Sequence, residues 1–218
     1  MIDLPSDAKS KLFHTSDKTA VLKLPEKKGF ALWLAGRTRM GIKWTLAASM
    51  IFFAKESIPP NLVLLGFLVA FLGAFLRFWA SGVIVKNREI ADTGPYALSR
   101  NPLYMGTYFI FLGSCIWIGS WALFVLGTAV LYVVYLEIIK QEEEKLLMAF
   151  GDSYRTYFEC APRFLGLPKL AGLISRLKSG FSMNLALKNK GYEGAGVVIG
   201  AYLALVFIGY IKSRYSFF

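Results

Sequence analysis

A chain of 218 residues is long enough for one domain, yet 56% of its residues are hydrophobic and 16% aromatic, more than a soluble core of this size buries. The surplus must face something other than water, and lipid is the candidate. The net charge of +11 comes from cations that alternate with long apolar segments, a pattern explained by the positive-inside rule and anionic headgroups, which sets nucleic-acid binding aside.

Taken in chain order, residues 1–40 read as a basic cytosolic tail, polar throughout residues 1–20 and without the apolar core of a cleavable signal peptide. The only histidine, His14, lies in this tail. Residues 42–54 are apolar but short, and end at Lys55-Glu56-Ser57-Ile58-Pro59-Pro60. Begun at Leu34 or Gly36 they span a membrane if Arg37, Arg39 and Lys43 snorkel to the interface. Residues 62–79 form a clear span, interrupted only by Arg77 at its end. Gly66, Ala70 and Ala74 recur every four residues, a small-residue stripe that admits close approach of another helix. Residues 81–100 turn polar, with a Gly94-Pro95 breaker, in a loop long enough to be functional.

Residues 103–118 and 121–139 are two further apolar helices separated only by Gly119 and Ser120. So short a link predicts an antiparallel helical hairpin. Polar sequence runs from 140 to 193, and residues 195–211 form the last span. With both basic groups inside, the expectation is an all-α integral membrane protein of about five transmembrane helices, with a cytosolic N-terminus and an external C-terminus; Lys212 and Arg214 alone run against this topology. The divisions are a tail at 1–40, a transmembrane core at 41–165, a basic cytosolic linker at 166–194 and a C-terminal transmembrane helix at 195–218. Cys115 lies in an apolar run and Cys160 in a polar one, so no disulfide framework is implied, and no His/Cys cluster points to a metal.

The hairpin carries a geometric statement. Asn101 lies about 28 Å of helix before its turn and Glu142 about 34 Å after it, at 1.5 Å per residue. Both therefore reach the same face of a core about 30 Å thick. Residues 94–106 and 141–144 should be neighbours there. Asn101-Pro102 is a helix-start signal, and a helix N-terminus with Arg100 beside it suits a carboxylate. The carboxylates of residues 142–144 can hold ribose hydroxyls, an ammonium or a sulfonium, while Tyr96 and Tyr104 offer aromatic faces. Together these describe a pocket for a zwitterionic nucleoside such as S-adenosylmethionine. Each feature alone also has a structural role: a helix cap, a headgroup anchor, a solvated acidic face.

At these residues a resemblance appears. Gly94-Pro95-Tyr96-Ala97-Leu98-Ser99-Arg100-Asn101-Pro102-Leu103-Tyr104-Met105-Gly106 resembles the GPY…RHPxYxG signature of the isoprenylcysteine carboxyl methyltransferase and phospholipid N-methyltransferase superfamily. Residues 142–157, with Glu142-Glu143, Leu146-Leu147, Phe150-Gly151, Tyr154 and Tyr157, resemble its second block, and Ala161-Pro162-Arg163-Phe164-Leu165 is similar to its closing VPRFLP. The resemblance covers residues 84–165. It implies that Tyr96, Asn101, Pro102, Tyr104 and Glu142 contact S-adenosylmethionine, with Arg88, Ile90 and Ala91 lining the pocket partly through backbone. It also implies that Arg100 and Glu143 stand where cofactor meets substrate, as the catalytic pair. The family's histidine is Asn101 here. Ile138 stands where the carboxyl-methylating members carry a substrate-facing arginine.

Methyl transfer needs chiefly positioning and desolvation, which suits a site without a metal or an obvious nucleophile. The expected acceptor is a lipophilic small molecule or lipidated substrate reached from membrane lipid, either isoprenylcysteine carboxylate-like or phospholipid amine-like, with Glu143 as proton acceptor in the amine case. Two rival readings are a membrane sterol reductase using a nicotinamide cofactor and a non-catalytic lipid-binding membrane protein. Tyr154 and Tyr157 in place of the reductase pattern weigh against the first, and intact Asn101-Pro102, Tyr104 and Glu142 against the second.

Overall fold

The computed structural model describes residues 59–85, 89–164, 173–178 and 180–215. The predicted span at 42–54 and Arg88 lie outside the described residues. Among the described residues the architecture is helical, with no strand: α1 (Pro60–Ser81), a 3-10 turn (Gly94–Ala97), α2 (Pro102–Ile118), α3 (Trp121–Phe150), α4 (Asp152–Cys160), α5 (Leu173–Lys178), α6 (Met183–Lys188) and α7 (Glu193–Tyr215).

α1 and α3 are long and apolar enough to cross a membrane, and α2 is apolar over 17 residues. Leu64, Leu65, Leu68, Phe71, Leu72 and Phe75 on α1 are exposed, as are Val125, Leu126, Val130 and Val133 on α3. Faces this apolar and this continuous are those of a membrane protein.

The small-residue stripe does what its spacing predicts, with one addition. Gly66 and Gly113 meet backbone to backbone, as do Gly73 and Gly106, so α1 and α2 approach as closely as two helices can. Ala70 and Ala74 share a buried cluster with Val198 of α7, and Tyr202 of α7 stacks on Trp117 at 5.5 Å between ring centroids. This side of α1 therefore serves two neighbours: Gly66, Ala70 and Gly73 meet α2, and Ala70 and Ala74 also meet α7. A Cβ placed on Gly66 would lie 2.6 Å from the Gly113 oxygen and 3.1 Å from the Trp117 nitrogen. Gly66→Ala should thus cost about 1–3 kcal/mol, as overpacking does, because backbone cannot give way as a side chain does. Thermal unfolding of the purified variant in detergent measures it, and an unchanged midpoint would show that α1 and α2 separate freely.

The hairpin turn is built by Gly119 and Ser120. Gly119 takes φ 66° in the left-handed region and donates its N–H to the Cys115 and Ile116 carbonyls, closing α2. The Ser120 hydroxyl accepts from the Leu123 N–H and opens α3. Phe111 of α2 lies against Gly127 of α3, and Tyr104 against Tyr135, so the two helices run antiparallel over their length. The apolar run of α3 ends near Ile139, but the helix continues through the acidic block to Phe150, 30 residues in all. Gly151 then turns the chain at φ 53°, ψ −124°, a conformation open in practice only to glycine, and α4 begins at once.

Residues 173–178 and 180–190 pack against the helices before them. α5 lies on the 3-10 turn, and α6 is seated on the end of α1. There the Asn189 amide donates to the Ser81 carbonyl at 2.9 Å and the Ile84 carbonyl at 3.0 Å. The Ser182 N–H donates to the Gly82 carbonyl at 2.8 Å.

Candidate active site

The first motif is folded by the last one. Gly94 starts the 3-10 turn at φ 56°, and the Tyr157 hydroxyl of α4 donates to the Tyr96 carbonyl at 2.8 Å. The Arg100 N–H donates to the Pro162 carbonyl at 2.9 Å. The Asn101 side-chain amide donates to the Arg163 carbonyl at 2.8 Å. Residues 161–163 thus clasp residues 99–101 from the side.

This corrects one expectation. Asn101 occupies the N-cap position of α2 and Pro102 its first turn, but the Asn101 side chain makes no capping hydrogen bond. Its amide is committed to the closing motif instead. The Asn101 N–H, in turn, is bonded by the Ser99 hydroxyl at 3.2 Å.

The two blocks meet where the hairpin arithmetic places them. The Tyr104 hydroxyl donates to Glu142 Oε1 at 2.8 Å, joining the first turn of α2 to α3 across the hairpin. One residue on, Glu143 is buried and faces the other way. Arg163 grips both its carboxylate oxygens, with Nη2 to Oε2 at 2.6 Å and Nε to Oε1 and Oε2 at 3.3 and 3.1 Å. Arg100 Nη1 lies 3.0 Å from Oε1. That second contact is electrostatic, because the Arg100 Nε and Nη1 atoms have no partner at hydrogen-bond angles. The Arg100 guanidinium also stacks 3.7 Å above the Phe158 ring of α4. A buried carboxylate between two guanidiniums is the electrostatic centre of the region.

The surrounding phenols are neutral donors at any physiological pH. Burial, helped by the nearby Glu143 charge, pushes the Tyr154 hydroxyl up to about 12. Burial also raises Tyr157 and Tyr96 well above the usual tyrosine range. The Tyr96 hydroxyl is buried without a hydrogen-bond partner.

Of the remaining expected residues, Ile90 and Ala91 are half-buried and pack against the cluster of Tyr96, Tyr154 and Tyr157. A cleft of about 210 Å³ between the loop and α4 is lined by Ile90, Asp92, Ser153, Thr156, Tyr157, Cys160 and Arg176. A larger one of about 390 Å³ runs along α3 and α4 past Glu143, Phe158 and Arg163. Tyr96, Asn101, Pro102, Tyr104 and Glu142 line neither cleft.

Three contributions were not read from sequence. Arg163 and Tyr157 stand in quoted motifs but received no role. The signal for Arg163 was available: a carboxylate at Glu143 on a helix needs a cation, and Ile138 one turn earlier supplies none. Arg77 was taken only as an interruption of a span. Its guanidinium Nη1 donates to the Leu103 carbonyl at 3.0 Å and the Thr107 hydroxyl at 2.5 Å, tying the end of α1 to the first two turns of α2.

Comparison with known proteins bears on these same residues. Residues 61–153 match the phospholipid methyltransferase family model, which takes in α1 from its second residue, the whole first motif, α2, α3 and the first two residues of α4. The Protein-S-isoprenylcysteine O-methyltransferase of Schizosaccharomyces pombe is 32% identical over 116 residues, a stretch covering 48% of this chain and 48% of that protein. The chain thus aligns with about half the length of this relative. No solved structure matches it.

Proposed function

We propose, because residues 61–153 match the phospholipid methyltransferase family model and a 32% identical stretch is shared with a Protein-S-isoprenylcysteine O-methyltransferase, that the chain methylates a lipophilic, membrane-borne acceptor using S-adenosylmethionine. The observation that carries the reading is the hydrogen bond between Tyr104 and Glu142, which joins the two motif blocks at one depth of the bundle. The residues fit a zwitterionic nucleoside. Glu142 offers a carboxylate held in place by a phenol, and Tyr96 has a buried hydroxyl that no protein group satisfies. The Asn101 amide, fixed by one hydrogen bond to Arg163, has a second N–H and a carbonyl to offer.

When bound, S-adenosylmethionine supplies a methyl group activated by its sulfonium. The chain then has to position, orient and exclude water. In this reading Tyr96, Asn101, Pro102, Tyr104 and Glu142 hold the cofactor, with Ile90 and Ala91 at its edge and Arg88 beyond the described residues. Arg100 and Glu143 face the acceptor. Both Glu143 oxygens are engaged by guanidiniums, so its role is to hold Arg100 and Arg163 rather than to take a proton. Arg100 and Arg163 about Glu143 present two guanidiniums with which an acceptor carboxylate can pair, with Glu144 and Glu159 lining the same cleft as Glu143 and Arg163. The topology we infer is multi-pass with about five spans, and the site faces the cytosol.

Asn101 provides the test. Asn101→His restores the family residue and should keep cofactor binding, adding a pH dependence near about 6.5, the unperturbed imidazole value. Asn101→Leu should lose both the clasp to Arg163 and the donor, lowering affinity by about tenfold or more. Titration calorimetry of the three proteins with S-adenosylmethionine in one detergent decides it. Equal affinity for wild type and Asn101→Leu would remove Asn101 from the pocket.

A further inference from the structure

Between Glu159 and Glu193 the chain has no acidic residue and six cations: Arg163, Lys169, Arg176, Lys178, Lys188 and Lys190. All of this stretch lies beyond the residues that match the family model. Its described parts are not solvated polar surface alone. Ile174 is 71% exposed, Met183 54%, Leu187 51% and Phe181 45%, interspersed with exposed Lys178, Lys188 and Lys190.

The level of the segment is fixed by its contacts. Asn189 and Ser182 are hydrogen-bonded to the carbonyls of Ser81, Ile84 and Gly82, at the end of α1. α1 is 22 residues of apolar helix, about 33 Å long, and fills the hydrocarbon. α6 therefore sits where α1 leaves the hydrocarbon, in the headgroup layer. Exposed apolar side chains beside the exposed Lys178, Lys188 and Lys190 at that depth are what an interfacial segment presents to anionic lipid.

The segment also touches the loop that leads into the first motif. Gly180 lies against Thr93 so closely that a Cβ there would collide with the Thr93 hydroxyl. Phe181 packs on Phe78 and against Gly82, and α5 packs on the Gly94–Ala97 turn.

We propose that residues 173–178 and 180–190 are a docking surface for anionic lipid, and that seating there braces residues 82–85 and 89–97. The inference rests on α1 crossing the bilayer and is independent of which reaction the site performs. Lipid that holds α5 and α6 in place holds the loop they cover, so the charge of the membrane sets the order of that loop.

The test is amide hydrogen exchange of the full chain in vesicles of phosphatidylcholine alone and of phosphatidylcholine with phosphatidylserine. Phosphatidylserine should slow exchange in both 173–192 and 82–97. Each cation near the surface is worth about fivefold in binding, so Lys178→Gln, Lys188→Gln and Lys190→Gln combined should abolish the difference. High salt should abolish it in the wild type without any substitution, by screening. Soluble glycerophosphoserine should have no effect, because the exposed apolar side chains need the acyl layer. Identical exchange in the two vesicles, or a response that survives the triple substitution or the salt, overturns the proposal. So does protection by the soluble headgroup alone, which would indicate a closed headgroup pocket.

Discussion

Glu143→Gln should be the most damaging single substitution in the described core. The Arg100 and Glu143 side chains are only 7% and 10% exposed, so their charges are screened little by water. Neutralising the glutamate leaves Arg100 buried without a counter-charge, a loss of about 3–5 kcal/mol for a broken buried pair. Arg163 is 42% exposed and can turn to water, so Arg163→Gln should cost much less. Arg100→Met added to Glu143→Gln should recover part of the loss, since no unpaired charge then remains inside. Turnover should fall with Glu143→Gln more than cofactor affinity does. Thermal unfolding of the four proteins in one detergent, alongside methyl-transfer rates, measures both effects. A Glu143→Gln protein within about 0.5 kcal/mol of wild type would mean that the arginines do not depend on this carboxylate.

Glu142→Gln should act on affinity instead. On the proposed reading it removes a charge-assisted hydrogen bond to S-adenosylmethionine, worth about 1.5–3 kcal/mol, or about 10- to 150-fold in binding. The hydroxyl of Tyr104 is the partner that aims this carboxylate. Tyr104→Phe should therefore weaken binding by a smaller factor, and that factor should vanish in the Glu142→Gln background. Calorimetric titration with S-adenosylmethionine across the four members of the cycle gives the coupling. Wild-type affinity in Glu142→Gln would dismiss the assignment, whereas additive effects would keep Glu142 and dismiss Tyr104 as its aiming group.

Much of this arrangement is legible in one dimension because a helix converts residue number into height. Counting from the Gly119-Ser120 turn was enough to bring residues 94–106 and 141–144 to the same end of the hairpin, and a four-residue spacing was enough to find the close-packed face of α1. What counting misses is lateral. Nothing in the local pattern says that Asn101 forgoes its own helix for the Arg163 carbonyl, because an asparagine before a proline is the ordinary sequence of a cap. Likewise Arg163 reaches Glu143 only because Gly151 reverses the chain and α4 folds back. The 30-residue length of α3 was also hidden, since its composition changes at Lys140 while its hydrogen bonding does not. For residues 173–190 the absence of acid was visible, but the anchoring of Asn189 on α1, over 100 residues earlier in sequence, was not.

The unbroken course of α3 has a mechanical consequence. Trp121, 80% exposed at one end, is suited to settle at one membrane interface, as tryptophan does. Glu143 follows on the same rigid rod, about 33 Å away along its axis. The pair makes a ruler, with its far mark at the guanidinium cluster. In a bilayer whose hydrocarbon matches that span, Glu143 and its arginines stand at the level of the lipid headgroups. A thicker bilayer draws the cluster into hydrocarbon and a thinner one lifts it into water, unless the helix tilts to compensate. Membrane thickness thereby becomes a variable on which access of a lipid-borne molecule to the site depends.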